Sequence, residues 1–420
     1  MHIKREIFSA VEAHLEKKEI TLIVGPRQVG KTTLMLELKR RLEGKGQPTM
    51  FLSMDIFRDK EYFSSQEALV QKMETMLGKK RGFVFIDEIQ RKQDAGVFLK
   101  GIYDMNLPYK LVVSGSGSLE LKEKIHESLA GRKRIFEMNP VSLREYIDFM
   151  TGYKYQDTLE KFCEMEKVQA QRYLDEYLMF GGYPRVILEE TTEGKAGIMD
   201  EILKSYIEKD IFYLLRLEKT EEFFSLMRLL SDQIGQLVNY AELASTLHLS
   251  LQTVKHYLWY LEKTFILERI KPFFRNVRKE ITKSPVVYYR DPGLRNYILN
   301  QFRIPAPREM GFLFQNLVFL LLKEKLCFTP ATLHFWRTTE KAEVDLVVNW
   351  GREILPIEVK YRDMNKPSVE RSLRSFIRKY SPKKALIVNK NYSHRCLIEE
   401  TEVHFVPIMQ LCFLAASDLS

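Results

Sequence analysis

The stretch TLIVGPRQVGKTTLML, from Thr21 to Leu36, decides the fold of the N-terminal part of this chain. An apolar run meets a Gly-Pro turn, and Gly-Lys-Thr-Thr then opens a second apolar run of helix-forming residues. Residues 25–32 fit the pattern G-x-x-x-x-G-K-[ST] in full, between an expected strand and an expected helix. Backbone N–H groups in such a loop curl around an anion, and the helix N-terminus adds its positive end. The stretch therefore predicts a phosphate-binding loop.

Residue types within this loop indicate how a nucleoside triphosphate would be held. Lys31 would reach the β- and γ-phosphates of ATP, and the Thr32 hydroxyl would ligate Mg²⁺. The residues expected to line the nucleotide are Gly25, Pro26, Arg27, Gln28, Val29, Gly30, Lys31, Thr32 and Thr33.

A second motif, RGFVFIDEIQ, is an apolar run that ends on Asp87 and Glu88. Asp87 would hold the Mg²⁺ through water, and Glu88 would position and polarise the attacking water. A strand ending in two acids is weak support alone, but the phosphate loop and this motif together predict ATP hydrolysis that needs Mg²⁺.

A third apolar run, KLVVSGSGS, ends in Ser114 and Ser116. The carboxyl end of a parallel strand should lie beside the nucleotide, so either serine could sense the γ-phosphate. A plain turn rich in glycine and serine explains each serine equally well. Farther along, Arg132 is a candidate arginine finger, acting within its own chain or from a neighbouring subunit of a homo-oligomer.

The apolar runs at 20–24, 83–87 and 110–116 alternate with helical patterns. This alternation predicts a doubly wound α/β domain with a parallel sheet. The chain has 420 residues, enough for about three domains. Its net charge of +9 favours acidic partners such as nucleic acid, but a solvated basic surface explains the charge equally well.

Four cysteines occur without a C-x-x-C pair, which argues against a zinc ribbon or a disulfide framework. The N-terminus lacks the apolar core of a signal peptide, and the greasiest stretches are too short to span a bilayer. We therefore expect a cytoplasmic protein with no membrane partner.

The segment NYAELASTLHLSLQTVKHYLWYLEK from Asn239 predicts a helix-turn-helix. Gln252, Thr253, Lys255 and His256 would lie near the exposed side of its second helix. The next segment reads as strand, basic tip and strand. The basic residues of this tip are Arg275, Arg278, Lys279 and Lys283. Such a wing suits DNA phosphates and base edges. The alternative is a strut that packs on the ATPase, and we leave both interpretations open.

A second constellation lies in AEVDLVV and PIEVK near the C-terminus. Glu358 and Lys360 are two apart in one strand and face the same side, and a hairpin through NWGRE would bring Asp345 alongside them. The two carboxylates can hold Mg²⁺, and the lysine can orient or deprotonate water near a phosphodiester. This is the D…E-x-K pattern of the restriction-endonuclease-like fold.

The motif series GPRQVGKTTL, FVFIDEIQ, VVSGSGSLEL, ESLAGR, MNPVSLREY and FGGYPRVIL resembles a family of archaeal and bacterial ATPases of the AAA superfamily. In that family the ATPase is joined to a winged helix and a C-terminal restriction-endonuclease-like domain. The resemblance covers nearly the whole chain. One departure is Gln315, because the family commonly carries a glutamate there, and a neutral amide is a poorer metal ligand.

The expected fold class is thus α/β, with a P-loop NTPase domain of AAA type, a helical lid, a winged helix and a restriction-endonuclease-like domain. The expected ranges are 1–150, 151–220, 221–300 and 301–420, with a proline-containing linker at 301–310.

The expected function is Mg²⁺-dependent ATP hydrolysis coupled to DNA binding, with DNA cleavage left open. One alternative is a nucleotide-gated signalling switch with an inactive nuclease-like domain, and the other is a DNA-binding regulator. DNA-stimulated turnover would separate the first function from the switch, and metal-dependent cutting would separate it from the regulator.

Overall fold

The structure is a computed structural model of the chain, and it describes residues 2–116, 129–206, 220–274, 284–302 and 307–419. Two sheets organise these residues. The first is five-stranded and belongs to the N-terminal part, and the second is eight-stranded and belongs mainly to the C-terminal part.

The N-terminal sheet is parallel, with the strand order β2-β3-β4-β1-β5. Its strands are β1 (Ile20–Gly25), β2 (Thr49–Ser53), β3 (Gly82–Asp87), β4 (Tyr109–Ser116) and β5 (Lys133–Glu137). Every residue of β1 and β3 is buried, which explains why both sequences are continuous apolar runs instead of alternating ones. The carboxyl ends of β1, β3 and β4 meet at one edge of the sheet.

Helices connect and cover these strands, as the alternating pattern predicts. They are α1 (Ile7–His14), α2 (Lys31–Gly44), α3 (Phe57–Lys60), α4 (Gln66–Leu77) and α5 (Ala95–Asp104). On α2 the buried residues Leu34, Leu38 and Leu42 recur every four positions, so one face packs inward. Ser65 caps α4 by accepting a hydrogen bond from the N–H of Ala68.

Three strands of this sheet were predicted from their apolar runs, and the structure confirms their positions and parallel direction. It did not predict β2 and β5, which form the two edges of the sheet. In β5, with the sequence KRIFE, only Phe136 is fully buried. Three of its five residues are charged, so the sequence lacks the apolar run that would have predicted a strand.

A helical region follows, as predicted. Its helices are α6 (Leu143–Met150), α7 (Leu159–Met165), α8 (Lys167–Phe180), α9 (Pro184–Leu188) and α10 (Thr192–Tyr206). Gly181 and Gly182 break the path between α8 and α9. A Cβ on Gly182 would lie 2.1 Å from the Val141 carbonyl oxygen, so only glycine fits this close approach.

The predicted helix pair and hairpin also lie where expected. The helices are α11 (Thr220–Asp232), α12 (Tyr240–Thr246) and α13 (Leu251–Lys263), and the hairpin strands are β6 (Leu267–Pro272) and β7 (Val286–Tyr289). Asn239 and Ser250 cap α12 and α13 through their side-chain oxygens. The antiparallel register pairs Leu267 with Tyr289. The basic tip, with Arg275, Arg278, Lys279 and Lys283, lies outside the described residues.

The second sheet has the order β12-β13-β11-β10-β9-β8-β6-β7. Its further strands are β8 (Thr332–Arg337), β9 (Glu343–Asn349), β10 (Ile354–Lys360), β11 (Lys384–Asn389), β12 (His394–Ile398) and β13 (Thr401–Pro407). The helices of this part are α14 (Pro292–Ile298), α15 (Pro307–Leu326), α16 (Arg371–Tyr380), α17 (Ile408–Phe413) and α18 (Ala416–Leu419).

The structure differs from the expected division at residue 301 in two ways. First, Lys271 and Pro272 of β6 pair with His334 and Phe335 of β8, so one sheet runs across the boundary. Second, α15 begins at Pro307, inside the segment expected to be a linker. Proline at a first helical position loses no hydrogen bond, because that N–H has no partner within the helix.

Candidate functional site

The phosphate loop connects β1 to α2, as the sequence predicts. A Cβ on Gly25 would lie 2.1 Å from the Met138 carbonyl oxygen, so the loop begins where two backbone segments touch. Gly30 occupies the N-cap of α2 with φ 98°, a left-handed conformation that favours glycine. The two glycines of the motif therefore have separate physical reasons to be glycine.

Lys31 and Thr32 begin α2, and Thr32 contacts Asp87. The Lys31 ammonium is buried and donates to the carbonyl oxygens of Gly25 and Pro26, at 3.0 and 2.6 Å. The Thr32 hydroxyl donates to Asp87 Oδ2 at 2.8 Å. The residues predicted to contact phosphate and magnesium are thus brought together from β1, α2 and β3.

Ser114 completes this network from β4. Its hydroxyl donates to Asp87 Oδ1 and accepts a hydrogen bond from the Glu88 N–H at 3.2 Å. Asp87 therefore receives one hydroxyl on each oxygen, from Thr32 and from Ser114. Sequence reasoning left Ser114 and Ser116 open, and the contact with Asp87 favours Ser114.

Glu88 follows β3 in a left-handed conformation, with φ 57°. A non-glycine residue in this region is uncommon and marks local strain, which clusters at functional sites. The Gln90 side chain donates to the Glu88 carboxylate. Glu88 is thereby turned out of the strand direction and fixed beside the carboxyl edge of the sheet.

Two arginines that sequence reasoning missed contact the phosphate loop. Arg5 donates to the Val29 carbonyl oxygen at 2.9 Å and pairs with Glu145 at 2.9 Å. Arg185 donates to Gln28 Oε1 at 3.0 Å. Arg185 lies in FGGYPR, a glycine break in a helical region that could have drawn attention. Nothing in the local sequence distinguishes Arg5.

Arg132 lies away from its own phosphate loop. Its carbonyl oxygen accepts from the Ile20 N–H, at the amino end of β1, whereas the loop follows the carboxyl end. Five residues of strand separate these ends, roughly 16 Å at 3.3 Å per residue. The guanidinium pairs with Asp104 at 2.7 Å. This position does not support action within one chain, and action from a neighbouring subunit stays a prediction.

The residues predicted to read DNA are described only in part. Gln252, Lys255 and His256 are exposed on α13, as expected. Lys255 also lies 5.8 Å from the ring centroid of Tyr240. Leu251, the first residue of α13, is 44% exposed. Arg275, Arg278 and Lys279 fall outside the described residues.

The predicted hairpin does bring Asp345 beside Glu358 and Lys360. The antiparallel register pairs Leu346 with Ile357, so Asp345 and Glu358 are the next residues on each strand. Asp345 Oδ2 accepts a hydrogen bond from the Val359 N–H at 2.7 Å. Glu358 Oε1 lies 2.8 Å from Lys360 Nζ, which confirms that these two side chains share a face. These three residues are called the carboxylate site below.

Both carboxylates of this site have raised pKa values. Asp345 keeps some contact with solvent, but burial by surrounding protein atoms raises its pKa to about 7, and the nearby Glu358 carboxylate adds to the rise. Burial also raises the pKa of Glu358, against the opposing charge of Lys360. A cation that reached this site would relieve both effects.

Gln315 of α15 approaches the same region. Its amide nitrogen donates to the Tyr288 hydroxyl at 2.8 Å, and the residue is 7% exposed. Burial raises the pKa of Tyr288, and the Asp345 charge contributes to that rise. The amide that replaces the expected glutamate is therefore a buried hydrogen-bond partner of a tyrosine near Asp345.

One observation bears on whether a divalent ion fits the carboxylate site. Glu358 Oε2 is buried and receives no hydrogen bond from any described residue. A buried carboxylate oxygen without a donor is costly, and a metal ion would satisfy it. The described side chains nevertheless contain no group of three His, Cys, Asp or Glu residues already arranged to hold a metal.

Two charged residues after β7 connect the N-terminal domain with the second sheet. Arg290 pairs with Glu137 of β5 at 2.7 Å and with Glu268 of β6 at 2.7 Å. Asp291 Oδ2 accepts from the Gly182 N–H at 2.7 Å. Burial raises the pKa of Asp291 to about 6. The nucleotide and carboxylate sites are therefore parts of one packed molecule.

Comparison with protein-family models divides the chain into three parts. Residues 17–147 match the AAA domain, residues 171–303 match a domain of unknown function, DUF8612, and residues 310–411 match another, DUF4143. The AAA match coincides with the parallel sheet and the phosphate loop. Residues 17–147 are thus similar to AAA ATPase domains, which supports a P-loop ATPase.

Relatives that match most of the chain have uncharacterized functions. A protein of Mycobacterium tuberculosis is 27% identical and covers 89% of this chain and 76% of its own length. A protein of Methanocaldococcus jannaschii is 23% identical over 87% of this chain and 80% of its own length. A protein of Haemophilus influenzae is 22% identical over 93% of this chain and 92% of its own length.

Solved structures match with low scores. The replication initiator DnaA bound to AMPPCP and single-stranded DNA has a TM-score of 0.29 and 15% identity, covering 62% of this chain and 90% of that chain. A structure described as the basis for katanin self-assembly has a TM-score of 0.27 and 12% identity, and the match covers 36% of this chain and 56% of that chain. Across the described residues, no helix combines the length and apolarity needed to cross a membrane.

Proposed function

We propose that the protein is a Mg²⁺-dependent ATPase whose hydrolysis is coupled to DNA binding. The observation that carries the proposal is the hydroxyl network in which Thr32 and Ser114 both donate to Asp87. It lies at the carboxyl edge of a parallel sheet, directly behind a loop of the phosphate-binding pattern. Ligands of open α/β sheets bind at such edges.

Each residue of this network has a distinct chemical task. Lys31 would neutralise the β- and γ-phosphates, and Thr32 and Asp87 would hold Mg²⁺. Bound Mg²⁺ would supply charge neutralisation at the phosphate oxygens. Glu88 would polarise the attacking water, and Ser114 would sense the γ-phosphate while orienting Asp87. Arg185 would connect the phosphate loop to α9 through its hydrogen bond to Gln28.

The DNA part of the proposal is supported by exposed polar and basic groups on α13. Gln252 and Lys255 face solvent, and the sequence of the adjacent hairpin tip is basic. Phosphate contacts by lysine and arginine make affinity fall with salt, by about one unit of log–log slope per contact. Arg275, Arg278 and Lys279 are proposed to supply such contacts.

The deciding experiment measures ATP turnover with and without single-stranded, duplex and branched DNA. We expect at least one form to raise turnover, and Lys255→Ala combined with alanine at Arg275, Arg278 and Lys279 to lose the effect and reduce the salt slope. Lys80→Ala, an exposed lysine between α4 and β3, is the matched control. Turnover that ignores every DNA form, without DNA binding, would favour the signalling switch.

A second candidate function is slow, metal-dependent DNA cleavage at the carboxylate site. It is favoured by the buried Glu358 Oε2, which has no hydrogen-bond donor among the described residues, and by the register that places Asp345 beside Glu358. Asp345 and Glu358 would hold the ion, and Lys360 would orient water. Gln315 should weaken the site, so cleavage should need high metal concentration and prefer Mn²⁺ over Mg²⁺.

Cleavage is tested by a nicking assay on supercoiled DNA beside a divalent-ion titration. Asp345→Ala should abolish metal binding and nicking and leave ATP turnover intact, whereas Gln315→Glu should raise metal affinity. If wild type and Asp345→Ala bind metal equally poorly and neither nicks in Mn²⁺, the C-terminal part is a binding module.

A further inference from the structure

Glu370 reaches the carboxylate site from outside the two strands that build it. It stands at the N-cap of α16, and its Oε1 lies 2.8 Å from Lys360 Nζ. Arg362, half of whose side chain is exposed, lies farther from the same oxygen, at 3.9 Å. Sequence spacing does not reveal this contact, because a loop separates Glu370 from β10.

The side chain of Glu370 does not cap α16, although Glu370 occupies the N-cap position. An N-cap side chain usually accepts a hydrogen bond from the first turn, and serine, threonine, aspartate and asparagine do this best. Glu370 makes no capping hydrogen bond in the described structure. The Glu370 carboxylate is therefore directed to Lys360 and not to the first turn of α16.

Lys360 is held between two carboxylates. Its ammonium lies 2.8 Å from Glu358 Oε1 and 2.8 Å from Glu370 Oε1. The Lys360 side chain is 19% exposed, so it is close to solvent without being free in it. The Asp345 carboxylate also acts electrostatically on this ammonium, and Glu358 Oε2 has no hydrogen-bond donor among the described residues.

We propose that Glu370 is the third carboxylate of a divalent-ion site with Asp345 and Glu358, and that the Lys360 ammonium is the occupant which the ion displaces. This inference rests on the proposed metal-binding role of the carboxylate site. The Lys360 ammonium lies 2.8 Å from both Glu358 and Glu370, so an ion held by these two carboxylates would have to displace it. Glu370 would supply from α16 the negative charge that Gln315 does not supply from α15.

The charge balance makes opposite predictions for the two partners. Removing the Glu370 carboxylate takes away a ligand charge, and hard cations bind more weakly as ligand charge falls. Removing the Lys360 ammonium takes away a competing cation. A salt bridge that only fixed the helix end would give neither pattern.

The experiment is a calorimetric Mn²⁺ titration without nucleotide, with every protein carrying Asp87→Asn to remove the nucleotide-site ligand. We expect Glu370→Gln to weaken Mn²⁺ binding about tenfold or more, within the range seen for groups that support metal ligands. Lys360→Met should strengthen binding several-fold. Glu399→Gln, an exposed acid paired with Arg378 in the same part of the protein, is the control and should change nothing.

A further variant separates metal binding from helix stability. Glu370→Ser places a good N-cap residue on α16, so thermal stability should hold or rise while Mn²⁺ affinity falls. Equal affinity of Glu370→Gln and the Glu399→Gln control would overturn the inference, as would weaker binding by Lys360→Met.

Asp345→Ala distinguishes failure of this inference from failure of the metal site itself. If Asp345→Ala loses Mn²⁺ binding but Glu370→Gln does not, only the role of Glu370 is wrong. If Asp345→Ala binds as wild type does, or wild type binds no Mn²⁺, the carboxylate site is not a metal site and both proposals fall.

Discussion

Asp87 and Asp345 each lie in a strand and each have a glutamate as a neighbour, but their surroundings differ. Asp87 receives hydroxyl hydrogen bonds from Thr32 and Ser114. Asp345 receives a backbone N–H from Val359 and faces the Glu358 carboxylate, and burial raises its pKa to about 7. Two hydroxyl donors thus occupy the oxygens of Asp87, whereas burial and a neighbouring carboxylate favour the protonated form of Asp345.

The two sites also differ in how complete they are within one chain. The nucleotide site lies at the edge of a parallel sheet, where loops from several strands meet, and its candidate arginine finger lies at the other edge. The carboxylate site is formed by adjacent antiparallel strands and by Glu370, all from the same segment of chain. The comparison therefore predicts that the first site needs a partner subunit and the second does not.

The largest effect is expected at Arg132. If this side chain completes a neighbour's site, Arg132→Ala should bind ATP normally and lose roughly 10³-fold or more in turnover. Mixing it with Lys31→Ala should restore activity, because a mixed interface can pair an intact loop with an intact finger. A monomer that stays fully active at high dilution would show that the nucleotide site does not need Arg132 of a neighbouring subunit.

A smaller but still large effect is expected at Glu88. Glu88→Gln should bind ATP and hydrolyse it about 100-fold more slowly or worse, because an amide cannot polarise water as a base does. Single-turnover hydrolysis beside nucleotide binding measures the two steps separately. Glu358→Gln, in the other site, is the matched control and should leave hydrolysis unchanged. Equal rates for wild type and Glu88→Gln would remove Glu88 from its proposed role.

Ser114 should have an intermediate effect. Ser114→Ala removes one of the two hydroxyls on Asp87, and loss of such a supporting group typically costs about 10- to 100-fold in metal affinity or activity. Mg²⁺ dependence of turnover is the measurement. Ser116→Ala tests the serine that sequence reasoning could not separate from Ser114, and an equal loss in both variants would contradict the assignment.

The smallest effect is a pH dependence confined to the carboxylate site. Folding raises the pKa of Asp345 from 3.8 to about 7, so the folded protein binds a proton there more tightly than the unfolded chain does. The stabilisation that this proton gives is therefore lost as the pH rises through about 7. Metal must displace the same proton, so Mn²⁺ affinity should rise roughly tenfold between pH 6 and pH 8. Titrations of the Asp87→Asn protein at several pH values measure this. Asp345→Asn should remove the dependence, and a flat profile in the parent would show that Asp345 is not the titrating ligand.

The sequence predicted the phosphate loop, three strands of the first sheet and the hairpin that joins Asp345 to Glu358. Each depends on local pattern, either a motif or a short-range register. It did not predict Arg5 on Val29, Arg185 on Gln28 or Glu370 on Lys360, because such contacts depend on how distant segments pack. Strands β2 and β5 were missed because an edge strand needs fewer apolar residues than a central one.

The pairing of β6 with β8 has a practical consequence for dividing the protein. A fragment that began at residue 301 would lose β6 and β7 and leave the outer edge of β8 with unpaired N–H and C=O groups. That strand carries Phe335 and Trp336, both buried in the intact chain. Open, apolar strand edges recruit other strands, so such a fragment should self-associate. A fragment that retained the hairpin from residue 265 would keep this edge covered.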